Sequence, residues 1–137
     1  MSARLILWAS HPDAAWLDPA DTPLALGALL VLMAREELAA LLPAADRIDE
    51  VLARRYDLTR SEAAEMRRAC EDVARRLPDG PAYMRLVQAH VCAAERAALA
   101  QCLWALAGST AETRNEAAAA ALSRGLGLGD ETLAPLN

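Results

Sequence analysis

The stretch TPLALGALLVLMAREE (residues 22–37) decides the fold class of this chain. Thr22 is placed to cap a helix, and Pro23 takes the first helical position, where its missing N–H group costs nothing. Apolar side chains then recur at helical spacing up to about residue 42, too densely for a surface helix. Those that mark the repeat are Leu26, Leu29, Leu30, Met33 and Leu41. The stretch therefore predicts a helix at the centre of the molecule.

Two further helices are predicted before the first strong break in the chain. After Pro43, residues 44–56 have the spacing of a helix whose inward side chains are Ile48, Val51 and Leu52. Thr59 and Glu62 then form a capping box, which predicts a helix over 60–77. Its buried stripe consists of Met66, Cys70, Val73 and Leu77, and its outer face has the acid-first ion pairs Glu71–Arg75 and Asp72–Arg76.

The segment LPDGP (77–81) is the strongest break in the sequence. Beyond it, 82–92 and 94–107 indicate two helices or one bent helix, and 114–124 predicts a last helix before a run of glycines. No segment alternates like a strand. We therefore expect an all-α fold, a compact bundle of five to seven helices that forms a single domain over 22–137.

Residues 1–21 are expected to be an N-terminal lead-in packed on the body of the protein. Two X-Pro steps, His11-Pro12 and Asp18-Pro19, interrupt any regular pattern there. Trp8 and Trp16 are predicted to fold back on the helical body, because large aromatic side chains gain most from burial.

Composition narrows the class of function. With 137 residues, of which 55% are apolar and 24% charged, the chain is one globular domain rather than a disordered segment. Its net charge of −5 argues against a general nucleic-acid binder, which needs a basic face. The arginine pairs at 54–55, 67–68 and 75–76 alternate with acids, which indicates a solvated face of mixed sign. All 14 basic residues other than histidine are arginines, so lysine chemistry is excluded.

Cysteine usage and hydropathy predict a cytoplasmic protein. The thiols of Cys70, Cys92 and Cys102 are odd in number and lack ligand-like spacing, so we expect free, buried thiols in a reducing compartment. No secretory segment is recognisable at the N-terminus. The longest apolar run, 24–34, is shorter than the roughly 20 residues of a membrane span, so no transmembrane segment is expected.

His90-x-Cys92, with Cys102 further on, is the pattern nearest to a zinc site or to a thiol nucleophile with a histidine base. Zinc requires three or four ligands, usually with tight local pairs such as Cys-x-x-Cys. Residues two apart on a helix point to different sides. A helical thiol among alanine, valine and leucine side chains is inert. We therefore expect no catalytic residue and a non-enzymatic protein.

The two halves of the chain repeat one arrangement. ALLVLMAREE (28–37) precedes a turn, a helix and YDLTRSEA (56–63), and CLWALAGSTAE (102–112) precedes a turn, a helix and LGLGDET (126–132). Each half is an apolar helix, an acidic turn, a shorter helix and a leucine-containing loop. This repeat predicts two pseudo-symmetric helical hairpins.

With these segments the chain resembles the TerB-like family over roughly 24–133. The best-matching pieces are LLVLMA, VLARRYDLTRSEA, AERAALAQCLWALA and LGLGDE. The resemblance implies an all-helical bacterial domain with an Ala-Asp-Gly turn in each hairpin and a glutamate on the next helix, as candidate ligands of a divalent cation. This chain departs from that pattern: Glu37 stands near the first expected aspartate, Ala44 replaces the first helix glutamate, and only Glu116 keeps its position.

Four glutamates form the candidate metal site: Glu36, Glu37, Glu112 and Glu116. If the last two face the first two across the pseudo-twofold axis, four carboxylates would converge as oxygen ligands for Mg²⁺ or Ca²⁺. Both later glutamates also complete capping-box patterns, with Ser109 and Thr113, so helix capping explains them equally.

Two functions follow as hypotheses. The first is a non-enzymatic cytoplasmic interaction module that binds a protein partner, with a homodimer as one form, in the stress-response or tellurite-resistance setting that the resemblance implies. The alternative is a divalent-metal-binding or metal-sensing domain that uses the four glutamates. An exposed apolar patch favours the first, and convergence of the glutamates favours the second.

Overall fold

A computed structural model describes residues 2–10, 17–35, 45–77, 79–107 and 126–127. These residues contain six α-helices and one 3₁₀ turn, and no strand. In chain order they are α1 (Ser2–Ser10), the 3₁₀ turn (Pro19–Asp21), α2 (Thr22–Arg35), α3 (Ala45–Tyr56), α4 (Arg60–Arg76), α5 (Gly80–His90) and α6 (Ala93–Ala107). The all-α bundle expected from the sequence is confirmed.

Helix α2 is the centre of the bundle, as its apolar sequence predicts. It contacts α3, α4, α5 and the 3₁₀ turn, and every residue from 25 to 31 is buried. The Tyr83 hydroxyl of α5 donates a 2.6 Å hydrogen bond to the Ala25 carbonyl, and burial raises the pKa of this phenol. The part of the predicted helix beyond Arg35, including Leu41, lies outside the described residues.

Helices α3 and α4 follow the sequence prediction closely. Ile48, Val51 and Leu52 are buried, and so are Cys70 and Val73 of the α4 stripe. The capping box is present: the Thr59 N–H donates to Glu62 Oε1 at 2.8 Å, and the Glu62 N–H donates to the Thr59 hydroxyl at 3.1 Å. The hydrogen bond from the Thr59 backbone lowers the pKa of Glu62 below its ordinary value.

The ion pairs on α4 differ in part from those predicted. Asp72 Oδ2 lies 3.5 Å from Arg76 Nη2, as predicted. The prediction that Glu71 pairs with Arg75 was wrong, because Arg75 binds Asp72 at 3.0 Å. Glu71 instead binds Arg67 at 2.9 Å. Arg67 Nε also donates to Asp49 of α3 at 2.6 Å. The packing of α3 against α4 therefore positions Arg67 so that it also binds Glu71.

The N-terminal lead-in contains a helix, where the sequence indicated no regular element. Leu5 and Trp8 of α1 are fully buried, and Trp8 packs edge-on against Tyr83 with ring centroids 6.3 Å apart. Arg4 Nε and Nη2 donate to the two carboxylate oxygens of Asp21 at 2.6 and 2.9 Å. These contacts join this nine-residue helix to α5 and to the 3₁₀ turn. Trp16 lies outside the described residues, and the division between 21 and 22 stays a prediction.

A sharp break at residues 91–92 separates α5 from α6. Of the two alternatives for residues 82–107, two helices or one bent helix, the structure therefore shows two helices. Val91 is extended, and Arg96 Nε donates to its carbonyl at 3.0 Å. Arg96 Nη1 also donates to the carbonyls of Leu126 and Gly127 at 2.6 and 2.9 Å, so one guanidinium joins the break to the C-terminal part of the chain. The helix predicted over 114–124 falls outside the described residues. None of the helices in the described part of the chain is long and apolar enough to cross a membrane.

Candidate binding cleft

A cleft of about 540 Å³ opens where the start of α2, the end of α3 and the α5–α6 break meet. Its apolar lining consists of Leu17, Pro19, Pro23 and Val91, and its polar lining of Thr22, Arg55, Tyr56, His90, Cys92 and Glu95. The lining comes from three separate parts of the sequence, and the position of each part is set by the helices packed around α2.

An ion pair spans the cleft between α3 and α6. Arg55 Nη2 donates to Glu95 Oε2 at 2.7 Å, and the Arg55 guanidinium carbon lies 5.0 Å from the centroid of the Tyr56 ring. The Glu95 side chain is 41% exposed and that of Arg55 is 23% exposed. The arginine is therefore held against the protein, while the glutamate lies at the solvent side. Arg55 is less exposed than the solvated face of mixed sign predicted for residues 54–55, although it does pair with an acid.

Two polar groups of the cleft are buried without a partner. Arg55 Nε and the Tyr56 hydroxyl have no hydrogen-bond partner in the described structure. Burial raises the pKa of Tyr56 to about 12, so its hydroxyl is protonated at neutral pH and can donate. A buried donor without an acceptor costs about 1–3 kcal/mol. The two donors at the end of α3 therefore carry a stability cost that no hydrogen bond from a described residue offsets.

His90 and Cys92 both line the cleft, on either side of the break. The His90 ring meets Trp8 edge-on, with centroids 5.6 Å apart. Cys92 is exposed, so the expectation of buried thiols was wrong there, because the chain is not helical at this point. Cys102 is half-buried. Cys70 is buried, and that burial raises the pKa of its thiol to about 12.

Metal ligation cannot be assigned to this cleft. Over the residues whose placement the structure gives, there is no group of three or more His, Cys, Asp or Glu side chains arranged to hold a metal ion. The four glutamates of the predicted site, Glu36, Glu37, Glu112 and Glu116, all lie outside those residues. Their convergence stays a prediction.

The comparison with protein families decides the identity. The family model described as tellurite resistance protein TerB matches residues 23–134, which cover α2 to α6 and the second predicted hairpin. The chain belongs to the TerB family. No curated protein and no solved structure matched the chain. TerB is not a known enzyme family. The family match includes most of the cleft lining, from Pro23 to Glu95.

Sequence reasoning did not find this site in the TerB chain. Arg55, Tyr56 and Glu95 lie in segments that carry the family resemblance, but nothing in those segments marks them as a site. An arginine beside acids is typical of a solvated surface. One signal was available: a tyrosine in the last turn of an amphipathic helix places a polar group at the edge of the core.

Proposed function

We propose that this TerB-family protein is a non-enzymatic, cytoplasmic module that binds a protein partner through the cleft at the α5–α6 break. The observation that carries the proposal is the cleft itself, which combines apolar surface from three elements with two donors that lack acceptors. Protein-binding sites commonly combine apolar contacts with a few well-placed polar groups. The family name refers to tellurite resistance, and the bacterial stress-response setting is part of our proposal.

The chemistry of the thiols supports a non-enzymatic role. A nucleophilic cysteine requires a base within hydrogen-bond reach. No hydrogen bond joins Cys92 to His90 among the residues that the structure describes, and the His90 ring packs on Trp8. Cys70 has its pKa raised by burial and is therefore protonated and inert.

Site-specific photo-crosslinking in bacteria tests the proposal. Replacing the exposed Cys92 by p-benzoylphenylalanine places a crosslinker at the cleft, and the same replacement of exposed Arg68 on α4 is the matched control. We expect one adduct of defined mass from position 92 and none from position 68. A mass of twice the chain would identify the partner as a second copy. The same adducts from both positions, or none from position 92, would contradict the proposal.

Binding of a divalent cation by Glu36, Glu37, Glu112 and Glu116 is the second candidate, favoured by the position of these acids beside the predicted turns. A ligand that binds only the folded state raises its stability, by about 2.7 kcal/mol at a hundredfold excess over Kd. We expect millimolar Mg²⁺ or Ca²⁺ to raise the melting temperature of chelator-treated protein, and Glu116→Gln to abolish the rise. The control Glu65→Gln, at an exposed position of α4, should retain it. An unchanged melting temperature with each ion would contradict the metal site and leave helix capping as the role of Glu112 and Glu116.

A further inference from the structure

The buried donors without acceptors are concentrated around the cleft. Over the described residues, three buried side-chain polar atoms have no partner: Trp8 Nε1, Arg55 Nε and the Tyr56 hydroxyl. Arg55 and Tyr56 line the cleft directly, and Trp8 supports His90, which lines it. Native proteins pair nearly all such atoms. Two unpaired donors on adjacent residues therefore call for an acceptor that the described part of the chain does not supply.

Arg4 and Arg67, which also bind carboxylates on other elements, both donate through Nε, and the comparison shows what is missing at Arg55. Arg4 uses Nε and Nη2 together, and Asp21 accepts from both with its two oxygens. Arg55 uses only Nη2 toward Glu95, and its Nε is unused. The Arg55 side of the cleft therefore has one positive charge, paired with Glu95, and two buried donors without acceptors, Arg55 Nε and the neighbouring phenol.

This set of donors matches a carboxylate. A carboxylate has one negative charge, which complements the positive charge of Arg55. Its two acceptor oxygens match the two donors without acceptors, Arg55 Nε and the Tyr56 hydroxyl. A phosphate group has more negative charge and a third terminal oxygen, and the chain has a net charge of −5. The exposed position of Glu95 lets its side chain turn into solvent at little cost, since surface ion pairs contribute little.

We infer that the cleft binds an acidic group of the partner protein, whose carboxylate displaces Glu95 from Arg55 and accepts hydrogen bonds from Arg55 Nε and the Tyr56 hydroxyl. Glu95 is then a competitor built into the chain, which neutralises Arg55 while the cleft is free. The inference rests on the proposed function and specifies the chemistry of the partner.

Binding of short acidic peptides to the protein and to three variants tests the inference. The probes are the peptides acetyl-Ala-Glu-Ala-amide and acetyl-Ala-Leu-Ala with a free C-terminus, and the neutral control is acetyl-Ala-Gln-Ala-amide. Binding is followed by NMR through the backbone amides of His90, Cys92 and Glu95. We expect the acidic probes to shift these amides and the neutral probe to leave them unchanged. The first probe reports an acidic side chain and the second a chain terminus.

Tyr56→Phe should weaken binding of the acidic probe about tenfold and should raise the melting temperature, because it removes an unpaired buried hydroxyl. Glu95→Gln should strengthen binding, because it removes the competing charge. Tyr83→Phe is the matched control: its hydroxyl is buried but paired with Ala25, so the melting temperature should fall and binding should stay. Unchanged binding in Tyr56→Phe, or weaker binding in Glu95→Gln, would overturn the inference.

The two proposals fail in different ways. If position 92 yields a crosslinked partner whose yield is unchanged in Tyr56→Phe and Glu95→Gln, the carboxylate inference is wrong and the interaction module stands. If the acidic peptides bind with the expected responses but position 92 gives no adduct in cells, the module is wrong and the carboxylate site stands.

Discussion

Replacing Trp8 by alanine is expected to lower the free energy of unfolding by about 4 kcal/mol, within the range for a buried tryptophan. Trp8 is 1% exposed and contacts both Tyr83 and His90 of α5. Its indole N–H has no partner among the described atoms, so the loss comes from packing and not from a hydrogen bond. Thermal or urea unfolding followed by circular dichroism measures the effect, with a melting temperature lower by about 10 °C or more.

Leu7 provides the matched control on the same helix. Its side chain is 56% exposed, so Leu7→Ala should change the free energy of unfolding by no more than about 0.5 kcal/mol. Hydrogen exchange of the α1 amides adds a second readout. A small loss of global stability in Trp8→Ala, with fast exchange confined to α1, would show that α1 detaches alone and is not part of the cooperative core.

Replacing Gly27 by alanine is expected to destabilise the protein by about 2 kcal/mol, although alanine is the better helix former by about 1 kcal/mol. Gly27 lies on α2 where it packs against α4, and a Cβ atom there would overlap the Sγ of Cys70. Cys70 is fully buried, so its sulfur cannot move into solvent to relieve the overlap. The two helices must therefore separate or Cys70 must leave its favoured rotamer.

Removing the sulfur should reverse the sign of this substitution. A Cβ at residue 27 would lie at ordinary contact distances, 3.7 Å, from Cys70 Cβ and Leu52 Cδ2. In a Cys70→Ala background, Gly27→Ala should therefore stabilise the protein by up to about 1 kcal/mol, the helix-propensity gain. Chemical unfolding of the wild type, both single variants and the double variant measures the coupling. A loss of the same size in both backgrounds would show that the steric overlap is not the cause.

Local sequence signals predicted α3 and α4 with little error. The Thr59–Glu62 capping box and the apolar spacing of Ile48, Val51 and Leu52 act within one or two helical turns, so the residues themselves carry the information. Helix α1 was missed for the opposite reason. The Arg4–Asp21 pair that anchors it joins residues 17 positions apart, so the contact is not visible in the local sequence of its nine residues.

The candidate site was much less predictable than the fold. The repeat and the TerB resemblance directed attention to four glutamates near the turns, which no described contact tests. The cleft instead depends on Arg55 and Glu95, which are 40 positions apart in sequence. Arginine and glutamate are ordinary residues on a solvated helix surface. Only the approach of α3 to α6 makes the Arg55 side chain half-buried.

By itself the sequence determined the fold class of the protein. Helical spacing, capping residues and the dense apolar stretch at 24–34 predict an all-α bundle around α2. These signals can be read from the sequence because helix capping and helical periodicity depend on residues a few positions apart. The tertiary structure alone decided which polar groups meet. It exposed Cys92 and left Arg55 Nε and the Tyr56 hydroxyl without acceptors. Those outcomes depend on the relative placement of helices far apart in the chain, which the residue types in any one helix do not specify.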